Sequence, residues 1–322
     1  MLKKIDLFIV ALLSMIGLAY FIPGIGSADP VFNLENISGV GISLIFFFYG
    51  LKLSPRDMKK GLSNYKLHIL SQLSTFLFFP VLVLLLKPFI QNEDQELIWL
   101  AIFFMAALPS TVSSSVVMVS IAKGNIPGAI FNASISGLIG IIITPMWIGL
   151  FMSSGAADFN FWESILSLVI KILLPVALGL FLNHKFGAYA RKYSKYITLF
   201  DKSIILSIVY NSFSKSFSAN IFDSINMSYL IVTAIIIAFI FTAIYGIIFG
   251  ISGWLNFSRE DRITATFCGS KKSLIHGTVM ANVLFKNMAS QGIFIVPIMI
   301  YHSLQLIVVS FIAQKLGKQA QH

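Results

Sequence analysis

Ten apolar runs of membrane-spanning length follow one another along this chain, and the short connections between them leave no room for a soluble domain. A helix needs about 20 mostly apolar residues to cross a bilayer. The runs cover residues 5–25, 36–53, 66–87, 97–122, 126–151, 161–183, 197–216, 227–255, 260–285 and 289–315. Only 11% of the residues are charged, against about 25% in a soluble domain. We therefore predict an all-α polytopic membrane protein.

The basic residues predict the orientation of these runs. If the N-terminus is cytoplasmic, 17 of the 23 lysines and arginines fall in cytoplasmic pieces, and only Lys87, Lys215 and Lys286 fall outside. Such a bias is the positive-inside signal. It predicts that both termini are cytoplasmic and explains the net charge of +10 without nucleic acid as a partner. The single Cys268 excludes an internal disulfide.

Ten spans divide into two sets of five, over residues 1–155 and 156–322. Because five is odd, the second set begins on the opposite side of the membrane, as in the inverted repeats of many secondary transporters. The large basic connections fit this division: residues 52–66 follow the second span, and residues 185–202 follow the sixth.

Spans 4 and 9, at corresponding places in the two sets, are both interrupted by polar residues. In span 4, Pro109 removes a helical hydrogen bond, and hydroxyl groups that can satisfy freed backbone groups follow it. The polar residues are Ser110, Thr111, Ser113, Ser114 and Ser115 in span 4, and Ser270, Lys271, Lys272 and Ser273 after Gly269 in span 9. Paired interruptions indicate a transporter's binding site, and the N-termini of half-helices suit an anion.

Other polar residues of the spans have two possible interpretations. Asn132, Ser134, Ser136, Gln72 and His276 either contribute to a binding site or only let helices pack closely.

The intramembrane lysines carry the same ambiguity. Lys272 either has a function or simply snorkels or points into a cavity, and the roles of Lys272 and of Lys171 in span 6 stay open. Lys271 is the lysine for which we most expect a function, because charges inside a membrane usually mark functional sites.

At this point the sequence resembles a known family. "LPSTVSSSVVMVSIAKGN" and "GAIFNASISGLIGIIITP" resemble the fourth and fifth helices of the bile acid:sodium symporter family, and "CGSKKSL" and "IVPIMIYHSLQL" resemble its sodium/bile acid cotransporter 7-like subgroup. The resemblance covers essentially the whole chain. It implies ten helices, a panel domain of spans 1, 2, 6 and 7, a core domain of spans 3–5 and 8–10, crossed broken helices 4 and 9, and alternating access.

The sodium sites that the resemblance implies are only half present. The hydroxyl groups have candidates in Ser114, Ser115, Ser134 and Ser136, but Phe267 and Lys271 stand where sodium-coupled members have a glutamate and a glutamine. A hard cation favours oxygen ligands and negative charge, and a lysine reverses the local sign. We therefore expect the Lys271 ammonium to take the place of sodium, bonded to carbonyls and hydroxyls near Ser113–Ser115. Transport is then sodium-independent. The lysine either releases its proton during the cycle and couples transport to H⁺, because desolvation disfavours the charged amine, or stays charged and only holds the crossing together.

The predicted function is secondary transport of a small organic anion, either sterol-like or bile-acid-like or another amphipathic carboxylate, across a bacterial inner membrane. The alternative is a membrane regulator of cation (calcium) homeostasis, or an ion-conducting protein without an organic substrate. The sequence contains no HExxH or GxSxG motif, so an enzyme is not predicted. Na⁺ and H⁺ remain the possible coupling ions, no other cofactor is expected, and the oligomeric state is open.

Overall fold

The computed structural model describes residues 7–23, 34–53, 64–111, 113–152, 161–218, 220, 227–286 and 288–319, which form helices joined by turns and contain no strand. The α-helices are α1 (Leu7–Phe21), α2 (Leu34–Lys52), α3 (Tyr65–Leu73), α4 (Phe79–Leu84), α5 (Glu93–Ala107), α6 (Ser113–Ile121), α7 (Ile126–Met152), α8 (Phe161–Leu168), α9 (Leu174–Lys192), α10 (Ser194–Ser218), α11 (Met227–Trp254), α12 (Arg259–Gly269), α13 (Leu274–Leu284) and α14 (Gln291–Gln319). π-Helical turns, Ser74–Phe78 and Val169–Leu173, precede α4 and α9.

Five helical stretches of the described residues are long and apolar enough to cross a membrane: Tyr65–Phe89, Ile126–Met152, Leu166–Lys192, Ser228–Trp254 and Gln291–Gln319. Two shorter apolar helices cover Val10–Phe21 and Asn36–Lys52. The protein is therefore an all-helical membrane protein. Predicted spans 97–122 and 260–285 are each divided between two short helices. None of these short helices is by itself long enough to cross a membrane. The ten-span inverted repeat stays a prediction.

The chain divides into two compact units. The first contains Met1–Ser54, Ala157–Asn226 and Thr278–Ile295, and the second contains Pro55–Ala156, Met227–Gly277 and Val296–His322. This division places predicted spans 1, 2, 6 and 7 in one unit and spans 3–5 and 8 in the other. The stretch 278–295 differs from the expectation, because spans 9 and 10 were both expected in the second group.

The first unit is built around the close approach of α2 and α9. Gly50 and Gly179 meet there, and a Cβ atom on Gly50 would overlap the carbonyl oxygen of Val176. The amide of Asn183 on α9 donates to the carbonyls of Leu51 and Leu53, both at 2.6 Å. These contacts satisfy backbone groups at the C-terminus of α2, where intrahelical partners end.

Within the first unit, part of the stretch 278–295 contacts α10. The Ser216 hydroxyl donates to the carbonyl of Ala289 at 2.7 Å and accepts from the amide of Gly292 at 3.0 Å. The rings of Phe285 and Phe294 stack with centroids 3.6 Å apart. The boundary between Gly277 and Thr278 divides predicted span 9 between the units, which corrects the expectation that the whole of span 9 groups with spans 3–5.

In the second unit, one network joins four segments that the positive-inside rule assigns to the same side of the membrane. The Asp261 carboxylate accepts from the side-chain amides of Asn64 and Asn125, each at 2.7 Å. The Arg259 guanidinium donates to the carbonyl of Leu316 at 2.7 Å. The start of α3, the α6–α7 connection, the start of α12 and the end of α14 therefore lie together at one end of this unit.

Candidate functional site

The interruption of predicted span 4 is present, and its cause is Pro109. The residue before a proline avoids the helical region, and Leu108 is extended, with φ −71° and ψ 153°. Helix α5 accordingly ends at Ala107, and α6 begins at Ser113. Gly140 of α7 makes room for the proline, because a Cβ atom there would lie 2.8 Å from the ring carbons of Pro109.

The interruption of predicted span 9 is also present. Helix α12 ends at Gly269, and α13 begins at Leu274. The Ser273 hydroxyl caps α13 by accepting from the amide of His276 at 3.3 Å, which is the usual role of a serine before a first turn. The four residues between the helices are buried: Ser270, Lys271, Lys272 and Ser273.

The two interruptions contact each other directly. The Ser110 hydroxyl donates to the carbonyl of Cys268 at 2.6 Å, and the amide of Ser273 donates to the carbonyl of Pro109 at 2.9 Å. Backbone groups that lost their helical partners at one break are therefore satisfied at the other, as a membrane interior requires. The sequence predicted both breaks, and the contacts bring their polar residues into one site.

Lys272 neither snorkels nor points into an open cavity, so the interpretation that it only does one of these was wrong. Its side chain is 1% exposed. The Nζ atom donates to the carbonyls of Thr75 at 2.7 Å, Ala106 at 2.6 Å and Leu108 at 2.8 Å. Nζ also lies 4.0 Å from the ring centroid of Phe79, within cation–π range. The three carbonyl acceptors match the three N–H donors of an ammonium.

The three carbonyl oxygens can accept from Lys272 because the local backbone leaves them without an intrahelical N–H donor. Ala106 and Leu108 stand at the C-terminal end of α5, where carbonyls lack intrahelical donors and the helix dipole favours a cation. In the π-helical turn, the Phe79 amide bonds to Ser74, so the matching donor for Thr75 would be residue 80. That residue is Pro80, which has no N–H.

Two residues of α14 fix the interruption in span 9 and were not predicted as site residues. The Gln305 side chain accepts from the amide of Lys272 at 2.9 Å and donates to the carbonyl of the same residue at 2.8 Å. The Tyr301 hydroxyl donates to the carbonyl of Ser270 at 2.6 Å. Both side chains are fully buried. Polar residues in the middle of an apolar span were the signal, since α14 is otherwise rich in aliphatic residues.

Lys271 is also fully buried, and its surroundings differ from those of Lys272. Its Nζ atom donates to the carbonyl of Ser114 at 2.9 Å, which confirms the expected contact with this segment. Next to it, the Thr111 hydroxyl bonds to the hydroxyls of Ser114 at 2.7 Å and Ser115 at 3.0 Å. Helix α6 begins at Ser113, whose side chain lies outside the described part of the chain.

The remaining predicted site residues fall into separate groups. The Gln72 amide donates to the side chain of Asn132 at 3.1 Å and to its carbonyl at 3.2 Å. The hydroxyl of Ser136 accepts from the amide of Ser110 at 2.9 Å, and Ser134 is buried on the same helix. His276 is buried, with Nδ1 2.9 Å from the hydroxyl of Ser273. Lys171 lies on the π-helical turn of the other unit.

Two lysines, Lys271 and Lys272, are buried where the two interruptions meet, a composition that does not favour a hard cation. Lys52 and Asp201 of the first unit form an ion pair at 3.4 Å. No carboxylate of the described part lies within ion-pair distance of Lys271 or Lys272, and no three acidic, His or Cys residues there group as metal ligands. Two ammonium nitrogens thus stand at the meeting point of the interruptions.

Apolar helices of membrane-spanning length, with two interrupted helices whose breaks meet around buried polar groups, are the features of a membrane transport protein. The comparison with known proteins agrees. The model of the SBF-like CPA transporter family matches residues 6–318, so the chain belongs to that family. It is a family of transporters and not of enzymes.

Relatives cover nearly the whole chain. An uncharacterised protein of Pseudomonas aeruginosa is 34% identical over 98% of this chain and 93% of its own length. YfeH of Escherichia coli, which carries the provisional name of a symporter, is 31% identical over 99% of this chain and 95% of its own. The sodium/bile acid cotransporter 7 of Xenopus tropicalis is 27% identical, with coverage of 93% and 88%.

Proposed function

We propose that this protein is a secondary active transporter of a small organic anion, which works by alternating access and does not require sodium. The observation that supports it is the meeting of the two interruptions around Lys271 and Lys272, with no acidic side chain of the described residues in ion-pair distance. Relatives named as sodium/bile acid cotransporter 7 favour a sterol-like carboxylate, such as a bile acid, as the substrate.

The two lysines have different capacities for a ligand. Within the described residues, Lys272 uses three N–H donors on carbonyls, whereas Lys271 has one acceptor, the carbonyl of Ser114. An ammonium has three donors, so Lys271 retains N–H groups for a carboxylate. Because Lys271 is fully buried, binding an anion requires the rearrangement that an alternating-access cycle provides.

Sodium fits this site poorly. The positions at which a cation would find carbonyl oxygens are taken by ammonium nitrogens, and two positive charges oppose a third. The hydroxyls of Ser114, Ser115, Ser134 and Ser136 remain the predicted sodium ligands if the ion does bind. We therefore favour transport that is either coupled to H⁺ or uncoupled.

The test is uptake of a labelled bile acid into proteoliposomes, with a sodium gradient, with potassium in place of sodium, and with a pH gradient alone. We expect saturable uptake that is unchanged by replacing sodium with potassium. Lys271→Met should abolish uptake, while Lys318→Met, a charge-matched change at an exposed position of α14, should leave it unchanged.

Two outcomes would contradict the proposal. Uptake that depends on sodium would show that the cation site is functional despite the lysines. A wild-type protein that carries no organic anion, but lets calcium or another cation pass in the same vesicles, would favour the alternative of a protein acting in cation homeostasis.

A further inference from the structure

The surroundings of the Lys272 nitrogen have the composition of a monovalent-cation site. Three backbone carbonyl oxygens, from Thr75, Ala106 and Leu108, lie 2.6 to 2.8 Å from Nζ. Rings of carbonyl oxygens that replace a hydration shell are how potassium channels hold their ion. The face of Phe79, 4.0 Å away, adds the quadrupole attraction that aromatic rings offer to cations.

The three oxygens lack intrahelical donors for reasons that do not involve the lysine. Each belongs to backbone that the fold has already deprived of a helical partner: the end of α5 before Pro109, and the π-helical turn before Pro80. Neighbouring carbonyls are occupied by other donors, since Ala107 accepts from the Thr144 hydroxyl at 2.7 Å. Three carbonyls left without a donor in a buried site would each lose a hydrogen bond.

We infer that these three carbonyls and the Phe79 ring form a monovalent-cation site that the Lys272 side chain occupies as a tethered ligand, so that shortening the side chain creates a site for a free ammonium or potassium ion. This inference concerns binding and stability, and it holds whether or not the protein transports an organic anion. It also separates the two lysines, since Lys272 closes a cation site while Lys271 retains donors for a ligand.

Chemical rescue of Lys272→Ala tests the inference. That substitution removes three carbons and the nitrogen, which n-propylammonium restores atom for atom. The thermal unfolding of the purified protein in detergent is followed with n-propylammonium, ammonium, potassium, sodium or choline chloride at constant ionic strength. A ligand that binds only the folded state raises the apparent Tm. We expect a saturable rise for Lys272→Ala with n-propylammonium, and a smaller one with ammonium or potassium, but none with choline.

Three controls define the result. We expect no rise in Tm beyond that with choline for three proteins: the wild type, Lys272→Met and Lys271→Ala. The methionine of Lys272→Met fills the space of the lysine without a charge. If Lys272→Ala responds to n-propylammonium no more than the wild type does, the inference is wrong.

If Lys272→Ala folds too poorly to purify even with n-propylammonium, Lys272→Met decides. A Tm equal to that of the wild type would show that the carbonyls need no cation and overturn the inference. A Tm lower than that of Lys271→Met would support it.

Discussion

The Gln305 side chain bonds to both the backbone N–H and the backbone C=O of Lys272. Removing these two hydrogen bonds should destabilise the second unit. Gln305→Met keeps the length of the side chain but leaves the N–H and C=O of Lys272 without their partners at 2.9 and 2.8 Å. A buried group left without a partner costs about 1–3 kcal/mol. The matched control is Gln314→Met, at an exposed position of the same helix, so that helix propensity cancels.

The membrane environment affects the magnitude. Interhelical hydrogen bonds between side chains in a membrane protein average only about 0.6 kcal/mol, because the unfolded state in the membrane also finds partners. Here both lost partners serve backbone groups at a helix interruption, where no intrahelical bond is available. We therefore expect a loss of about 2–4 kcal/mol for Gln305→Met, well above the membrane average.

The measurement is thermal unfolding in detergent, monitored by circular dichroism. With about 2 °C per kcal/mol for a large domain, the Tm of Gln305→Met should lie at least about 4 °C below that of Gln314→Met. If the two variants unfold at the same temperature, the backbone N–H and C=O of Lys272 find other partners. The assignment of Gln305 as a positioning residue is then refuted.

Two further predictions concern the first unit. Gly50→Ala should lower stability by about 1–3 kcal/mol through overpacking, because the new methyl group overlaps the carbonyl of Val176. Gly39→Ala on the same helix, where nothing lies within 4 Å of the new methyl group, should be neutral or stabilising, and equal Tm values for the two variants would refute this. Lys52→Met should cost about 1–2 kcal/mol, less than a fully buried pair because Lys52 is 26% exposed. Asp201→Asn should cost less, since it leaves no buried charge unpaired, and a larger loss for Asp201→Asn than for Lys52→Met in the same unfolding assay would contradict that reasoning.

The sequence alone determined the class of the protein and the position of both interruptions. Apolar runs of spanning length predict membrane helices whatever their packing. Lipid offers no hydrogen-bond partner to a backbone N–H or C=O, so these groups must bond to each other within a helix. A proline forces its preceding residue out of the helical region, so the end of α5 at Ala107 follows from Pro109 alone. The family resemblance read from the same segments was confirmed by the match over residues 6–318.

The role of each polar residue could not be predicted in the same way. Asn132 and Gln72 were named as site residues, and the structure pairs them with each other; which group a side-chain amide bonds to depends on a helix 60 residues away. The stretch 278–295 groups with the first unit, and its contact with Ser216 joins it to a residue that nothing in the local sequence connects to it.

The two adjacent lysines show most directly what could not be predicted from the sequence. From sequence, Lys271 and Lys272 are equivalent in type and share the same interruption, and Lys271 was favoured. The structure gives Lys272 three carbonyls and a ring, and Lys271 one carbonyl. The acceptors of Lys272 come from the end of α5 and from the π-helical turn before α4, more than 160 residues earlier in the chain. Local chemistry decides that a backbone carbonyl is left without a partner, but only the packing of distant segments decides which ammonium reaches it.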